Sequence, residues 1–84
     1  MTPLRIRNSS SYLISLSPTP PAPGLLPLGT MVRLDGTFGR RGMIIAYNGD
    51  HNTMFYPASR YPYVVLWMDG YFEVYTPSSL QVAA

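Results

Sequence analysis

From Leu28 onward the chain alternates short apolar runs with glycine-containing turns, the pattern of strands rather than helices. Met31-Val32-Arg33-Leu34 makes a first strand, closed by Asp35-Gly36. Gly42-Met43-Ile44-Ile45-Ala46-Tyr47 makes a second, closed by Asn48-Gly49, a dipeptide that tolerates positive φ. Tyr63-Val64-Val65-Leu66-Trp67-Met68 is the strongest, joining β-branched and aromatic residues without interruption. Asp69-Gly70 supplies a tight hairpin into Tyr71-Phe72-Glu73-Val74-Tyr75, and Asp69 is read as serving that turn. After Thr76-Pro77, Ser78-Ser79-Leu80 suits a single 3₁₀ turn and Gln81-Val82 a last short strand. Helical periodicity and internal repeats are both lacking.

Residues 1–27 read differently. Leu4 and Ile6, then Tyr12, Ile14 and Leu16, alternate at strand period, so 4–7 and 11–16 can pair as a hairpin around Asn8-Ser9-Ser10-Ser11 or add to a neighbour's sheet edge. Pro18, Pro20, Pro21 and Pro23 fix φ and remove amide donors, which predicts an extended, semi-rigid run over 18–23. The expectation is therefore an all-β fold in two parts, an extended proline-rich N-terminal arm (1–27) and a small five-stranded barrel (28–84).

The order of motifs in the second part resembles that of small SH3-like barrels, including KOW and Tudor-like modules. A "G-x-x-V" opening falls at Gly29-Thr30-Met31-Val32, and a "G-x-x-G-x-I" at Gly39-Arg40-Arg41-Gly42-Met43-Ile44. A "V-x-W-x-D-G" hairpin falls at Val65-Leu66-Trp67-Met68-Asp69-Gly70, and a final "L-x-V" at Leu80-Gln81-Val82. The resemblance covers about 55 residues. It implies a barrel closed around an apolar centre containing Trp67, with glycines at sharp corners where a side chain would strike the neighbouring strand. It carries no single function, since such barrels serve as peptide binders, nucleic-acid binders, enzyme subunits and virion components alike. A proline-rich arm on so small a barrel also resembles viral accessory or decoration proteins, whose arms lace neighbouring subunits. By that analogy the setting is a virion or host cytoplasm, and a phage inhibitor of a host protein has the same outline.

Composition narrows the functions. A chain of 84 residues makes one domain, and a domain this small buries only about 60–65% of its unfolded surface. Aromatics reach 13%, mostly Tyr, as suits half-buried strands. Charged residues are only 12%, every basic one is Arg, and the net charge is +2, a weak field for gripping a duplex. Without cysteine there is no disulfide framework, thiolate zinc site or cysteine nucleophile. No apolar run approaches the roughly 18 residues of a membrane-spanning helix. The Arg5, Arg7 and 12–16 stretch falls short of a signal peptide, so the mature chain is read as starting at Met1 and as intracellular.

Candidate chemistry is sparse. His51, the only histidine, lies beside Asp50 and Asn52 in a polar loop without a second group to make it a base or ligand. No paired carboxylates, phosphate loop or zinc motif is present, so a binding or structural module without cofactor or metal is expected rather than an enzyme. The connection over residues 48–62 is longer than usual and carries Met54, Phe55, Tyr56, Arg60 and Tyr61. These side chains either fold back to cap an open end of the barrel or form a protein-contact surface of the hot-spot kind. Tyr12, Ile14 and Leu16 of the arm are further candidates for contact with a protein partner or a second copy. Nucleic acid is the alternative partner, through Arg33, Arg40, Arg41 and Arg60 with exposed tyrosines among Tyr63, Tyr71 and Tyr75.

Overall fold

The computed structural model describes residues 7–8 (backbone only), 15–36, 40–50 and 54–83. Five strands appear where the apolar runs placed them: β3 (Met31–Leu34), β4 (Gly42–Asn48), β5 (Tyr63–Trp67), β6 (Tyr71–Tyr75) and β7 (Leu80–Val82). A 3₁₀ turn, Pro77–Ser79, precedes β7. Two short strands lie upstream, β1 (Arg7–Asn8) and β2 (Leu16–Ser17). The fold is all-β, with no α-helix among the described residues.

Strand order is β1-β6-β5-β4-β3-β7, and every pairing among the five main strands is antiparallel. Trp67 C=O accepts Gly70 N–H at 2.9 Å and Asp69 Oδ1 accepts Tyr71 N–H at 3.3 Å, closing the hairpin between β5 and β6. β5 lies along the whole of one edge of β4. The other edge is shared, by β3 at Gly42 and Met43 and by β2 at Tyr47 and Asn48.

The inner face holds Val32, Ile44, Tyr47, Tyr63, Val65 and Trp67, closed over by Leu25, Leu26, Leu34, Tyr75 and Leu80. Trp67 is 1% exposed, so the tryptophan lies in the core as its strand position predicts. Strict alternation would not put both Ile44 and Tyr47 on this face. A bulge at Ile45 does: Ile44 opposes Val65 and Ala46 opposes Val64, leaving Ile45 as the extra residue and shifting the phase of the strand beyond it. Gly42 is the tightest point, because a Cβ there would stand 2.6 Å from Trp67 Cε3 and 2.8 Å from the Leu66 carbonyl oxygen. The strand crosses the tryptophan only because this residue has no side chain.

Three local expectations are revised. Asn48-Gly49 is not a positive-φ turn: Asn48 ends β4, and Gly49 N–H donates to the Ser15 carbonyl at 2.8 Å. Residues 18–24 bend repeatedly rather than running straight, starting where Ser17 Oγ accepts Thr19 N–H at 3.1 Å and ending in a turn at Gly24 (φ +80°). The described ends of the upstream segments do not meet each other. Arg7 and Asn8 pair in parallel with Tyr71 and Phe72, while Leu16 and Ser17 pair with β4; most residues of the proposed hairpin lie outside the described ones.

The end of the arm is clamped to the core. Leu26 N–H donates to Tyr63 Oη at 2.9 Å, and Tyr47 Oη–H donates back to the Leu26 carbonyl at 2.7 Å. Two inward tyrosines thus satisfy both backbone groups of one residue, leaving the Leu25 and Leu26 side chains to close the core.

Candidate apolar groove on the outer sheet face

The register aligns side chains in rows across the outer face. One row runs Ala46, Val64, Val74, and the next runs Met31, Met43, Leu66, Phe72. The two rows are treated differently. Tyr56 and Tyr61 fold back over the first, packing with Ile45 and Phe72 against its residues, and their rings meet edge to face at 4.9 Å. The second row keeps Met31 and Met43 exposed, and Met68 beyond it is 83% exposed. These methionines and Leu66 line an open groove of about 280 Å³, with Gly42, Gly70 and Trp67 also on its wall. Its lining is almost wholly apolar. Methionine's unbranched, polarisable chain adapts to many apolar surfaces, so a row of them makes a permissive contact.

Arginines border this groove unequally. In β3, Val32 is buried and Leu34 packs on the core, so alternation puts Arg33 on the same outer face as Met31. Met68 N–H donates to the Arg41 carbonyl at 3.3 Å, carrying the pairing of β4 with β5 one residue beyond Gly42 and Trp67. Since Gly42 faces inward toward Trp67, Arg41 faces outward beside Met43 and Met68, and it is exposed. Arg40 turns the other way, with its guanidinium carbon 4.6 Å from the centre of the Trp67 ring. Arg60 sits at the far end of β5, in the turn where Arg60 and Tyr61 N–H groups both donate to the Pro57 carbonyl. A five-residue strand spans roughly 13 Å, so the four arginines do not form one patch. Nor is there an exposed tyrosine face beside them, since Tyr63 is buried and Tyr71 and Tyr75 are half-buried.

Behind the groove, polar groups fix Trp67. Its Nε1–H donates to Tyr75 Oη at 2.9 Å, and Tyr75 Oη–H donates to Glu73 Oε2 at 3.2 Å. The rings of Trp67 and Tyr75 lie 5.6 Å apart and nearly perpendicular. Burial pushes the Tyr75 hydroxyl up to about 12, and the nearby Glu73 carboxylate adds to the rise while the Trp67 hydrogen bond opposes it.

The long connection over residues 48–62 divides in two. Tyr56 and Tyr61 are half-buried roofing, whereas Met54 and Phe55 stay 91% and 72% exposed. Asn48 holds the connection in place, a residue the sequence marked only as a turn former. It is 2% exposed; its Nδ2 donates to the Tyr56 and Tyr61 carbonyls at 2.9 and 3.0 Å, and its Oδ1 accepts Asp50 N–H at 3.0 Å. Of the arm candidates, Leu16 is exposed in β2, while Tyr12 and Ile14 lie outside the described residues, as does His51. Among the described residues no acidic, histidine or cysteine group is placed to hold a metal, and no helix is long and apolar enough to cross a membrane. Comparison with protein-family models, curated proteins and solved structures finds no match to this chain.

Proposed function

We propose that the chain is a non-enzymatic protein-binding module, built as a small SH3-like barrel, whose contact surface is the groove of Met31, Met43, Leu66 and Met68. The observation that carries this is the unequal treatment of one sheet face: its own Tyr56 and Tyr61 cover one apolar row, whereas Met31, Met43 and Met68 along the next stay exposed. Exposed contiguous apolar surface is costly in a small domain unless something covers it. The SH3-like reading rests on the β7-β3-β4-β5-β6 order and the 3₁₀ turn before the last strand. The arm's described parts pair with this chain's own sheet, which favours the groove over an arm laced onto a neighbour.

The test is selection of short peptides from a random displayed library, followed by titration of the enriched peptides against the single tryptophan, Trp67, on the groove wall. Enriched peptides are expected to carry apolar residues, to shift Trp67 emission, and to lose binding when Met43→Asp is introduced. No enrichment, or binding indifferent to Met43→Asp, would overturn the proposal. A single-stranded oligonucleotide titrated in parallel is expected to show no steeply salt-dependent binding.

A further inference from the structure

Two exposed apolar features lie on one face of this molecule, and the second supplies an occupant for the first. The groove of Met31, Met43, Leu66 and Met68 is open. The tip of the long connection, Met54 and Phe55, stays 91% and 72% exposed and runs directly into Tyr56, which packs on the outer face over Ala46, Val64 and Val74. This tip is uncharged, since Thr53-Met54-Phe55-Tyr56-Pro57 holds no acid or base. Around the groove the charges balance. Arg33 faces Gln81 across the pairing of β3 with β7, and Gln81 Nε2 donates to Asp35 Oδ1 at 2.7 Å, which keeps an acid close to that arginine. Asp69 follows Met68 directly, and Arg41 reaches Met68 from the neighbouring strand. Arg40 lies over Trp67, on the opposite face from the methionines.

We infer that the groove's partner is a second copy of this chain, with the Met54 and Phe55 tip of each copy seated in the groove of the other; the inference rests on the protein-binding reading of that groove. Because tip and groove share a face, one twofold axis forms both contacts at once and closes the pair. Charge permits it. Each copy brings two arginines, Arg33 and Arg41, and two aspartates, Asp35 and Asp69, so the twofold sets no block of like charge against itself. Size fits as well, since the groove of about 280 Å³ admits one or two side chains and the tip offers two. A contact this small belongs to the weak, transient end of protein interfaces, so the pair is expected at micromolar to millimolar concentration.

Sedimentation equilibrium of the full chain over that concentration range decides the matter. A monomer–dimer equilibrium is expected, and raising the salt is expected not to weaken it, as suits an uncharged contact. Phe55→Ser in the tip and Met43→Asp in the groove are each expected to raise the dimer Kd at least about tenfold, with the melting temperature of the dilute chain unchanged. Met54→Asp, at a position 91% exposed, serves as a second tip variant should Phe55→Ser disturb folding. Mixing the tip variant with the groove variant restores one intact contact of the two, so the mixture is expected to associate more tightly than either variant alone. A chain that stays monomeric, or a dimer indifferent to these substitutions, would overturn this inference; groove-binding peptides selected from the library would then leave the binding module standing. A monomeric chain that also enriches no peptide would remove both.

Discussion

Asn48 and Gly42 carry consequences larger than their size. Replacing Asn48 by Leu removes its hydrogen bonds with the Tyr56 and Tyr61 carbonyls and the Asp50 amide in a part-buried setting. The expected cost is about 1–3 kcal/mol, read as a lower midpoint in denaturant together with faster amide exchange over residues 54–61. A neutral effect would mean that the connection is held by its tyrosines alone. Gly42→Ala forces a methyl against Trp67 and the Leu66 carbonyl, and costs of about 1–3 kcal/mol are expected from such overpacking. Tyr75 gives a pH signature. Its folded value near 12 lies above the ordinary 10, so the unfolded chain releases this proton first as pH rises. The stabilisation is whole below about pH 10 and is lost as pH climbs toward 12. Denaturant unfolding across that window is expected to show a steeper loss in the natural chain than in Tyr75→Phe, and equal slopes would contradict the burial of the phenol.

Among the elements, the upstream strands and the bulge mark the limit of what the residues declare in advance. Turn chemistry and β-branched runs locate β3 to β7 because those signals are local. The bulge at Ile45 leaves no such mark, since Ile44-Ile45-Ala46-Tyr47 reads equally well in either phase and the choice is made by what β5 presents. Asn48 is opaque for the same reason, because its partners at Tyr56 and Tyr61 are brought by the fold and not by proximity in sequence. Proline content suggests a projecting arm, yet the arm's stability comes from contacts that composition does not encode, the Leu26 clamp above all. Deleting residues 1–15 together with Leu16→Gly and Ser17→Pro is expected to lower the melting temperature by several degrees, at about 4–8 °C per kcal/mol lost. An unchanged melting temperature would return the arm to a role outside the sheet.

At the scale of the whole molecule, the apolar residues not used for folding matter most. The methionines are visible in the sequence, but their convergence depends on three strands coming into register, with Met31, Met43 and Leu66 in one row and Met68 just beyond. The loop side chains, read either as a cap or as a contact surface, divide into a roof, Tyr56 and Tyr61, and an exposed tip, Met54 and Phe55. Met68→Ser is expected to leave stability within about 0.5 kcal/mol, as for exposed positions generally, while weakening peptide binding several-fold. Hydrogen–deuterium exchange of the chain with and without a selected peptide tests the location of the surface most directly. Slowed exchange is expected at residues 31–33, 41–43 and 66–70; protection confined to the arm or to residues 54–61 would contradict the groove as the binding site.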